Sequence, residues 1–254
     1  MTIDTTKIIT ALNSDDLVDR FHAASTIGMY RVTDAADALV GRLGVETDCQ
    51  VRERITWATV QVIDQALPGV IEQLTSDDDA TRTQAAHVLS KAGRPEFADQ
   101  LVAIVNDPNP RVAIKGYRAA ASTGNTAMVP VLVARLGQGD KLQLDLLTNA
   151  LLVFGEDAVP ALTEALSSED ATVRAHAAEV LGFLGEAADP ALEALTAASN
   201  DADQTVRIVA TTALGQLGEV ANEALARATE SSDAHVALAA TRLRQRREAA
   251  AAQA

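Results

Sequence analysis

The chain has 254 residues, of which 48% are hydrophobic but only 3% are aromatic, and its formal net charge is −14. This hydrophobic content excludes a disordered polyelectrolyte, and the negative charge argues against nucleic acid as a partner, because phosphate binding needs a basic surface. A single cysteine excludes an intrachain disulfide and a cysteine-rich zinc site. No apolar run approaches the roughly 20 residues of a membrane-spanning helix, and the first residues lack a signal-peptide pattern, so we expect a cytoplasmic protein without membrane contact.

A repeat of about 31 residues runs through the chain. An anchor position, occupied by arginine in five of its eight occurrences, recurs at residues 20, 52, 82, 113, 144, 174, 207 and 237. An aspartate, or once an asparagine, stands four residues before each anchor: Asp16, Asp48, Asp78, Asn109, Asp140, Asp170, Asp203 and Asp233. Because these residue types are strong helix N-caps, each of them predicts the start of a helix.

Each repeat is predicted to contain two helices. The first carries small and apolar residues at helical spacing, as at Ala177 and Leu181, and Gly185 suits the left-handed position that ends a helix. The second begins near a proline, as at Pro160 and Pro190. In this register the chain opens on a lone second helix and closes on a lone first helix, with seven helix pairs between them.

The repeat unit resembles a known family. Its pattern, D-x-x-V-R-x-x-A-A-x-x-L-G-x-L-G followed by P-A-L-x-x-A-L, is similar to the short HEAT repeat, particularly the version described in phycobilin lyases. The resemblance covers about residues 5–245 and implies an all-α fold, a right-handed α-solenoid of about seven helix pairs with a capping helix at each end. We therefore expect one domain over residues 1–247 and a disordered, alanine-rich tail over 248–254.

Acidic and basic residues recur in step along the repeat. The pairs are Asp16 and Arg20, Asp48 and Arg52, Asp78 and Arg82, Asp170 and Arg174, and Asp203 and Arg207. In each pair the two residues lie one helical turn apart, so Arg174 is expected to bond Asp170 or the equivalent aspartate of the next repeat. We interpret this ladder as structural, because a catalytic dyad would be unique.

The ladder is interrupted at Ala113 and Leu144. We interpret the loss of arginine at these two positions as ordinary sequence drift. In the alternative, the middle repeats bind a partner, and the contact residues are Tyr117, Arg118, Arg135 and Asn149. Trp57, the only tryptophan, is also open to two interpretations. In the interpretation that we favour, Trp57 fills space in the core; in the other, it is an exposed anchor for a partner. Its helix lacks the terminating glycine of other repeats and is therefore expected to run longer.

The second helices carry mostly acidic polar positions. The family resemblance implies that these helices line a concave binding surface, where we expect Glu72, Asp99, Glu164, Glu193 and Glu223, with Arg135, to contact a partner. An acidic surface favours a basic segment of another protein. The leading hypothesis is therefore a non-catalytic adaptor, although the acidity could instead serve solubility.

Other functions remain as alternatives. The resemblance also implies a phycobilin lyase-like or phycobilisome-handling subunit, and an accessory subunit of a metabolic enzyme is a further possibility. One HEAT-repeat enzyme that hydroxylates a modified lysine holds iron with His-Glu pairs, and no His-Glu dipeptide occurs here. We therefore expect no metal, no other cofactor and no catalytic residue; the oligomeric state is left open.

Overall fold

The computed structural model describes residues 4–252, and within that range the secondary structure is entirely helical. The helices up to residue 125 are α1 (Thr5–Leu12), α2 (Leu17–Tyr30), α3 (Ala36–Leu43), α4 (Cys49–Gln61), α5 (Ile63–Gln73), α6 (Asp79–Ala92), α7 (Ala98–Val105) and α8 (Pro110–Thr123). Those after residue 125 are α9 (Met128–Val133), α10 (Lys141–Leu152), α11 (Val159–Ala165), α12 (Ala171–Leu184), α13 (Leu192–Ala198), α14 (Gln204–Leu214), α15 (Asn222–Ala228) and α16 (Ala234–Ala251). Short 3-10 turns precede several of the second helices.

The order of the helices confirms the predicted alternation. Seven successive pairs run from α2–α3 to α14–α15, with α1 alone before them and α16 alone after them in the described range. The chain forms two compact units, an N-terminal unit up to Asn125 and a C-terminal unit from Thr126. The single domain over residues 1–247 stays a prediction.

All eight predicted N-caps are confirmed. Each first helix begins directly after its aspartate or asparagine, whose side chain accepts a hydrogen bond from a backbone N–H of the first turn. At Asp48, for example, Oδ1 accepts from the N–H groups of Gln50 and Val51, both at 2.9 Å. Removing such a cap typically costs a helix about 1 kcal/mol.

The predicted ends of the first helices are confirmed in some repeats and wrong in others. Gly93 adopts the left-handed region with φ of 57°, and Arg31 adopts the same region with φ of 49° where a glycine is missing. Gly185 also has a positive φ, 61°, but its ψ of −133° places it outside that region. The frame also predicts a terminating glycine at Gly218, but α14 already ends at Leu214, and Gly218 has φ of −66°. Other interactions therefore terminate that helix.

The second repeat differs from its prediction. The helix that carries Trp57, α4, ends at Gln61 and is not longer than its counterparts. Instead the connecting turn has shrunk to Val62, and the second helix, α5, starts early and includes Pro68. In the sixth repeat, Pro190 lies in a 3-10 turn before α13 rather than within its first turn.

Small residues allow the helices of each unit to pack closely. The alanine pairs of the first helices are buried, as at Ala85 and Ala86 in the N-terminal unit and Ala177 and Ala178 in the C-terminal unit. Leucines such as Leu101 and Leu195, both fully buried, fill the space between helices. Dense packing of aliphatic side chains explains how few aromatic residues suffice.

The last helix, α16, continues to Ala251, beyond the expected end of the repeats at residue 247. The disorder of residues 248–254 stays a prediction, and residues 253–254 lie outside the described range.

Candidate functional site

Arginines of the first helices join successive repeats through ion pairs. Arg20 Nε lies 2.8 Å from Glu46 Oε2, and Arg82 Nε lies 2.7 Å from Asp107 Oδ2. Arg174 Nε lies 2.8 Å from an Asp201 oxygen in the C-terminal unit. Each arginine also donates to a backbone carbonyl two residues before its own cap, as Arg174 does to Ser168 at 2.8 Å. The arginine therefore fixes both its own loop and the loop of the next repeat.

The acidic partners differ from those that the sequence predicts. The acceptor is not the cap of the same helix; for three arginines it is an acid two residues before the next cap, namely Glu46, Asp107 or Asp201. Only Arg207 bonds the next cap itself, with Nη2 2.6 Å from Asp233 Oδ2. An acid occupies this position in three of its eight occurrences, and this shared place in the repeat is the signal by which sequence reasoning could have found these partners.

Glu46 is the most enclosed of these acids. Its side chain is fully buried and accepts hydrogen bonds from Arg20, from Arg42 Nε at 3.1 Å and from the N–H of Asp48 at 3.0 Å. Burial alone raises the pKa of Glu46, but the hydrogen bonds from Arg20, Asp48 and Arg42 outweigh it and lower the pKa to about 2. The same contact with Glu46 raises the pKa of Arg20. This cluster is charged in the folded protein and holds repeats one and two together.

Arg52 follows a different pattern. The position two residues before the next cap, which is an acid in three other repeats, is here Ser76. Arg52 Nη1 donates only to the carbonyl of Glu46, at 3.0 Å. The ladder residue thus supports its own loop without an ion pair in the described part of the chain.

Where the arginine ladder is interrupted in the C-terminal unit, a histidine joins the repeats instead. Buried His176 accepts a hydrogen bond at Nδ1 from the N–H of Gly137, at 3.1 Å, and its Nε2 lies 2.8 Å from Thr148 Oγ1. Since Nδ1 accepts, Nε2 carries the proton and donates to Thr148. Burial lowers the pKa of His176 and so favours the neutral form of the ring. The sequence analysis missed this role.

The residues proposed for the middle repeats lie in different surroundings. Tyr117 is 1% exposed, and its hydroxyl has no hydrogen-bond partner within the described residues. This burial does not fit a contact with a partner, because the ring replaces the small alanine of other repeats and fills the interior. Arg118 and Asn149 are exposed, and Arg135 is half-buried.

Trp57 is neither fully in the core nor fully exposed. Its six-membered ring packs on Gly28 of α2, where an added Cβ would lie 2.3 Å from Trp57 Cζ3, yet 38% of the residue remains exposed. The guanidinium of Arg54 lies 5.2 Å from the Trp57 ring centre and 4.8 Å from that of Phe21. The favoured assignment of Trp57 to the core is therefore wrong for its outer edge.

Five of the predicted binding residues lie on the exposed side of the second helices. We call these residues the acidic stripe: Glu72, Asp99, Glu164, Glu193 and Glu223. Each stands two residues before or after a buried aliphatic residue, as Asp99 does before Leu101, which turns it away from the interior. All five are exposed. Within each unit the stripe therefore presents carboxylates to solvent.

Few cations neutralise the acidic stripe. Glu223 pairs with Arg227 at 2.8 Å, but the other four members form no ion pair within 4.0 Å inside residues 4–252. Arg42, the basic residue of α3, forms an ion pair with buried Glu46 rather than with a member of the stripe. The charge of the stripe is therefore available to a partner.

The arginine-rich end of the chain has a structural explanation. Arg247 donates to the carbonyls of Leu214, Gly215, Leu217 and Gly218 at the end of α14. A cation suits this position because carbonyls at a helix C-terminus carry partial negative charge. Arg247 thus caps the C-terminal carbonyl groups of α14, where the repeat pattern predicts a terminating glycine.

Within residues 4–252, the histidine, cysteine and acidic side chains form no group of three or more with the geometry to hold a metal ion. No individual helix in this range has the length and apolar composition to cross a membrane, although the bent pair Lys141–Leu152 and Gly155–Ala165 satisfies those criteria when taken together.

The helices and the contacts between repeats define an all-α protein built from tandem helix pairs. A model of the HEAT repeats matches residues 67–145 and 147–215, more than half of the chain. The chain therefore belongs to the HEAT repeat family. No curated protein is significantly similar in sequence.

Solved structures share the fold at low identity. A chain in the structure of microtubule plus-end tracking by XMAP215, CLIP-170 and EB1 is 15% identical, over 70% of this chain and 89% of its own, with a TM-score of 0.57. A chain in the structure of Kap95p with RanGDP is 12% identical, over 94% of this chain and 39% of its own, with a TM-score of 0.57. A chain of the CpcE–CpcF complex of phycocyanin lyase from Nostoc sp. PCC7120 is 22% identical, over 89% and 94%, with a TM-score of 0.43. The last likeness carries no argument for a lyase role, which stays a prediction.

Proposed function

We propose that this protein is a non-catalytic adaptor that binds basic segments of another protein at the residues of the acidic stripe within each unit. The observation that carries this proposal is the set of four exposed carboxylates without an ion-pair partner in the described residues, at Glu72, Asp99, Glu164 and Glu193. The related fold in the structure of Kap95p with RanGDP supports a protein as the partner.

The physical chemistry sets the expected strength of this binding. An exposed ion pair contributes about 0–1 kcal/mol, so no single carboxylate of the stripe can carry the affinity. Several lysines or arginines must therefore engage within a unit at the same time. Salt screens such contacts within a Debye length of about 8 Å at physiological ionic strength, so binding should weaken as salt is added.

The proposal is tested by capture from native lysate with two charge-matched variants. The first replaces Glu72, Asp99, Glu164 and Glu193 by their amides. The control makes the same change at four exposed acids outside the stripe, Asp34, Asp77, Glu156 and Glu230. Because both variants lose four negative charges, a difference between them reports position rather than net charge.

We expect the wild type and the control variant to retain the same proteins and the stripe variant to lose them. Equal retention by both variants contradicts the proposal. So does the absence of any protein above background together with a small molecule that copurifies, since that result would indicate ligand binding or catalysis.

A further inference from the structure

A second exposed surface lies on the first helices of repeats one and two. We call it the aromatic patch: Phe21 and Met29 of α2, with Arg54 and Trp57 of α4. Gly28 lies seven residues after Phe21, about two turns along the same face of α2, and Met29 follows Gly28 directly in the sequence. Met29 is 67% exposed and Trp57 38% exposed. The patch thus combines a flexible thioether, two aromatic rings and a guanidinium.

Arg54 is held in place without an acidic partner. Its guanidinium lies over both the Phe21 and the Trp57 rings, at 4.8 and 5.2 Å from their centres, an arrangement that cation–π attraction stabilises. No carboxylate lies within 4.0 Å of it inside residues 4–252. The adjacent acid, Glu53, is bound to His87 at 2.9 Å. The N–H donors of Arg54 are therefore oriented and available.

The position of Trp57 in the patch depends on the residue that faces it on α2. Trp57 can pack this closely on α2 only because the residue that it contacts is Gly28, where a Cβ would overlap the ring. In the C-terminal unit Gly182 holds the position of Gly28, but Thr212 stands where Trp57 would be, and an open groove of about 400 Å³ remains between α12 and α14. An aromatic anchor is thus specific to the α2–α4 site.

We propose that the aromatic patch docks an acidic segment of a protein partner, in which an aspartate or glutamate binds Arg54 and a neighbouring apolar side chain covers Trp57 and Met29. Charge complementarity identifies the occupant. A guanidinium presents paired N–H donors that match a carboxylate, and Arg31, exposed at the end of α2, adds a second cation. Tryptophan and arginine are also the residues that most often dominate binding energy at protein interfaces.

This proposal does not depend on the acidic stripe, because the two surfaces involve different helices and opposite charges. The test uses a fluorescein-labelled peptide that repeats Asp-Leu-Phe-Glu, with two counterparts in which the acids are replaced by amides or by lysines. Binding is followed by fluorescence anisotropy and by the emission of Trp57, the only tryptophan, which reports contact at the patch itself.

We expect the acidic peptide to bind and to change the emission of Trp57. Arg54→Glu should weaken it at least about tenfold, and the amide peptide should bind correspondingly less well to the wild type. Arg111→Glu on α8 is the control, because it makes the same charge change at an exposed arginine outside the patch. Met29→Ala, at a largely exposed position where folding is insensitive, should weaken binding while leaving the circular dichroism spectrum unchanged.

Four results would overturn the proposal. They are no binding of the acidic peptide at about 1 mM, equal losses for Arg54→Glu and Arg111→Glu, equal binding of the lysine peptide, and unchanged Trp57 emission. Self-association of the wild type that Arg54→Glu abolishes would assign the patch to a second copy of the chain, and so would also contradict an acidic partner segment.

Discussion

Neutralising Glu46 should destabilise the N-terminal unit more than any other single loss of a negative charge within it. The substitution Glu46→Gln keeps the shape of the side chain but removes the charge that faces Arg20 and Arg42. Arg20 donates to both carboxylate oxygens, so whichever of them becomes the amide nitrogen of glutamine, Arg20 loses one of these two hydrogen bonds. Arg20 is 7% exposed and cannot turn to solvent without leaving its site.

The expected magnitude follows from this burial. Removing one partner of a buried ion pair costs about 3–5 kcal/mol, because the other charge is left uncompensated. Glu72→Gln, on an exposed residue of the same unit, should change stability by less than about 0.5 kcal/mol. Urea unfolding followed by Trp57 emission measures both, since the single tryptophan lies in this unit.

The pH dependence of unfolding provides an independent measurement of the same contact. The pKa of Glu46 is lowered to about 2 in the folded protein from an ordinary value of 4.5. Its contribution to stability is therefore complete above pH 4.5 and lost as the pH falls through about 2. Glu46→Gln should lack this part of the acid transition. Equal urea midpoints for Glu46→Gln and Glu72→Gln would refute the reasoning.

Two further predictions concern the contacts between repeats. Burial lowers the pKa of His176 in the folded state, so the C-terminal unit should lose stability as the pH falls below 6.5, the ordinary pKa of histidine, by at most about 1.4 kcal/mol per pH unit. The variant His176→Gln can donate to Thr148 as Gln84 donates to Thr56, and it should remove this pH dependence in thermal melts. A pH profile of the variant identical to that of the wild type would contradict the prediction. Gly28→Ala should displace Trp57, shift its fluorescence emission and lower the free energy of unfolding by about 1–3 kcal/mol. Gly41→Ala, where the added Cβ meets open space, should raise the free energy of unfolding by about 0.5–1 kcal/mol. Similar effects of the two substitutions would show that Trp57 does not pack on Gly28.

The fold could be predicted from the sequence because its signals are local and repeated. An aspartate such as Asp170 caps a helix through backbone groups two or three residues away, so its effect is visible in a short window. Eight repetitions of that signal, spaced 30 to 33 residues apart, then fix the number of helix pairs. The family match confirms the assignment.

The contacts between repeats could be predicted only in part. Arg174 was expected to bond an aspartate of the ladder, but whether the cap or the acid two residues earlier accepts depends on how the next loop folds back. His176 bonds Gly137, 39 residues away, and no local pattern marks this pair. The partial exposure of Trp57 could not be predicted without knowing that its ring packs on Gly28. Each of these depends on packing between helices distant in sequence.

The acidic stripe is tested most directly by zero-length crosslinking of carboxylates to amines in native lysate, followed by mass spectrometry. Such a reagent joins an acid only to a lysine in direct contact with it. If the stripe binds a basic segment, lysines of one protein should be linked to Glu72, Asp99, Glu164 and Glu193. Links to other proteins found only at acids outside the stripe, such as Glu156 or Glu230, would contradict the proposal.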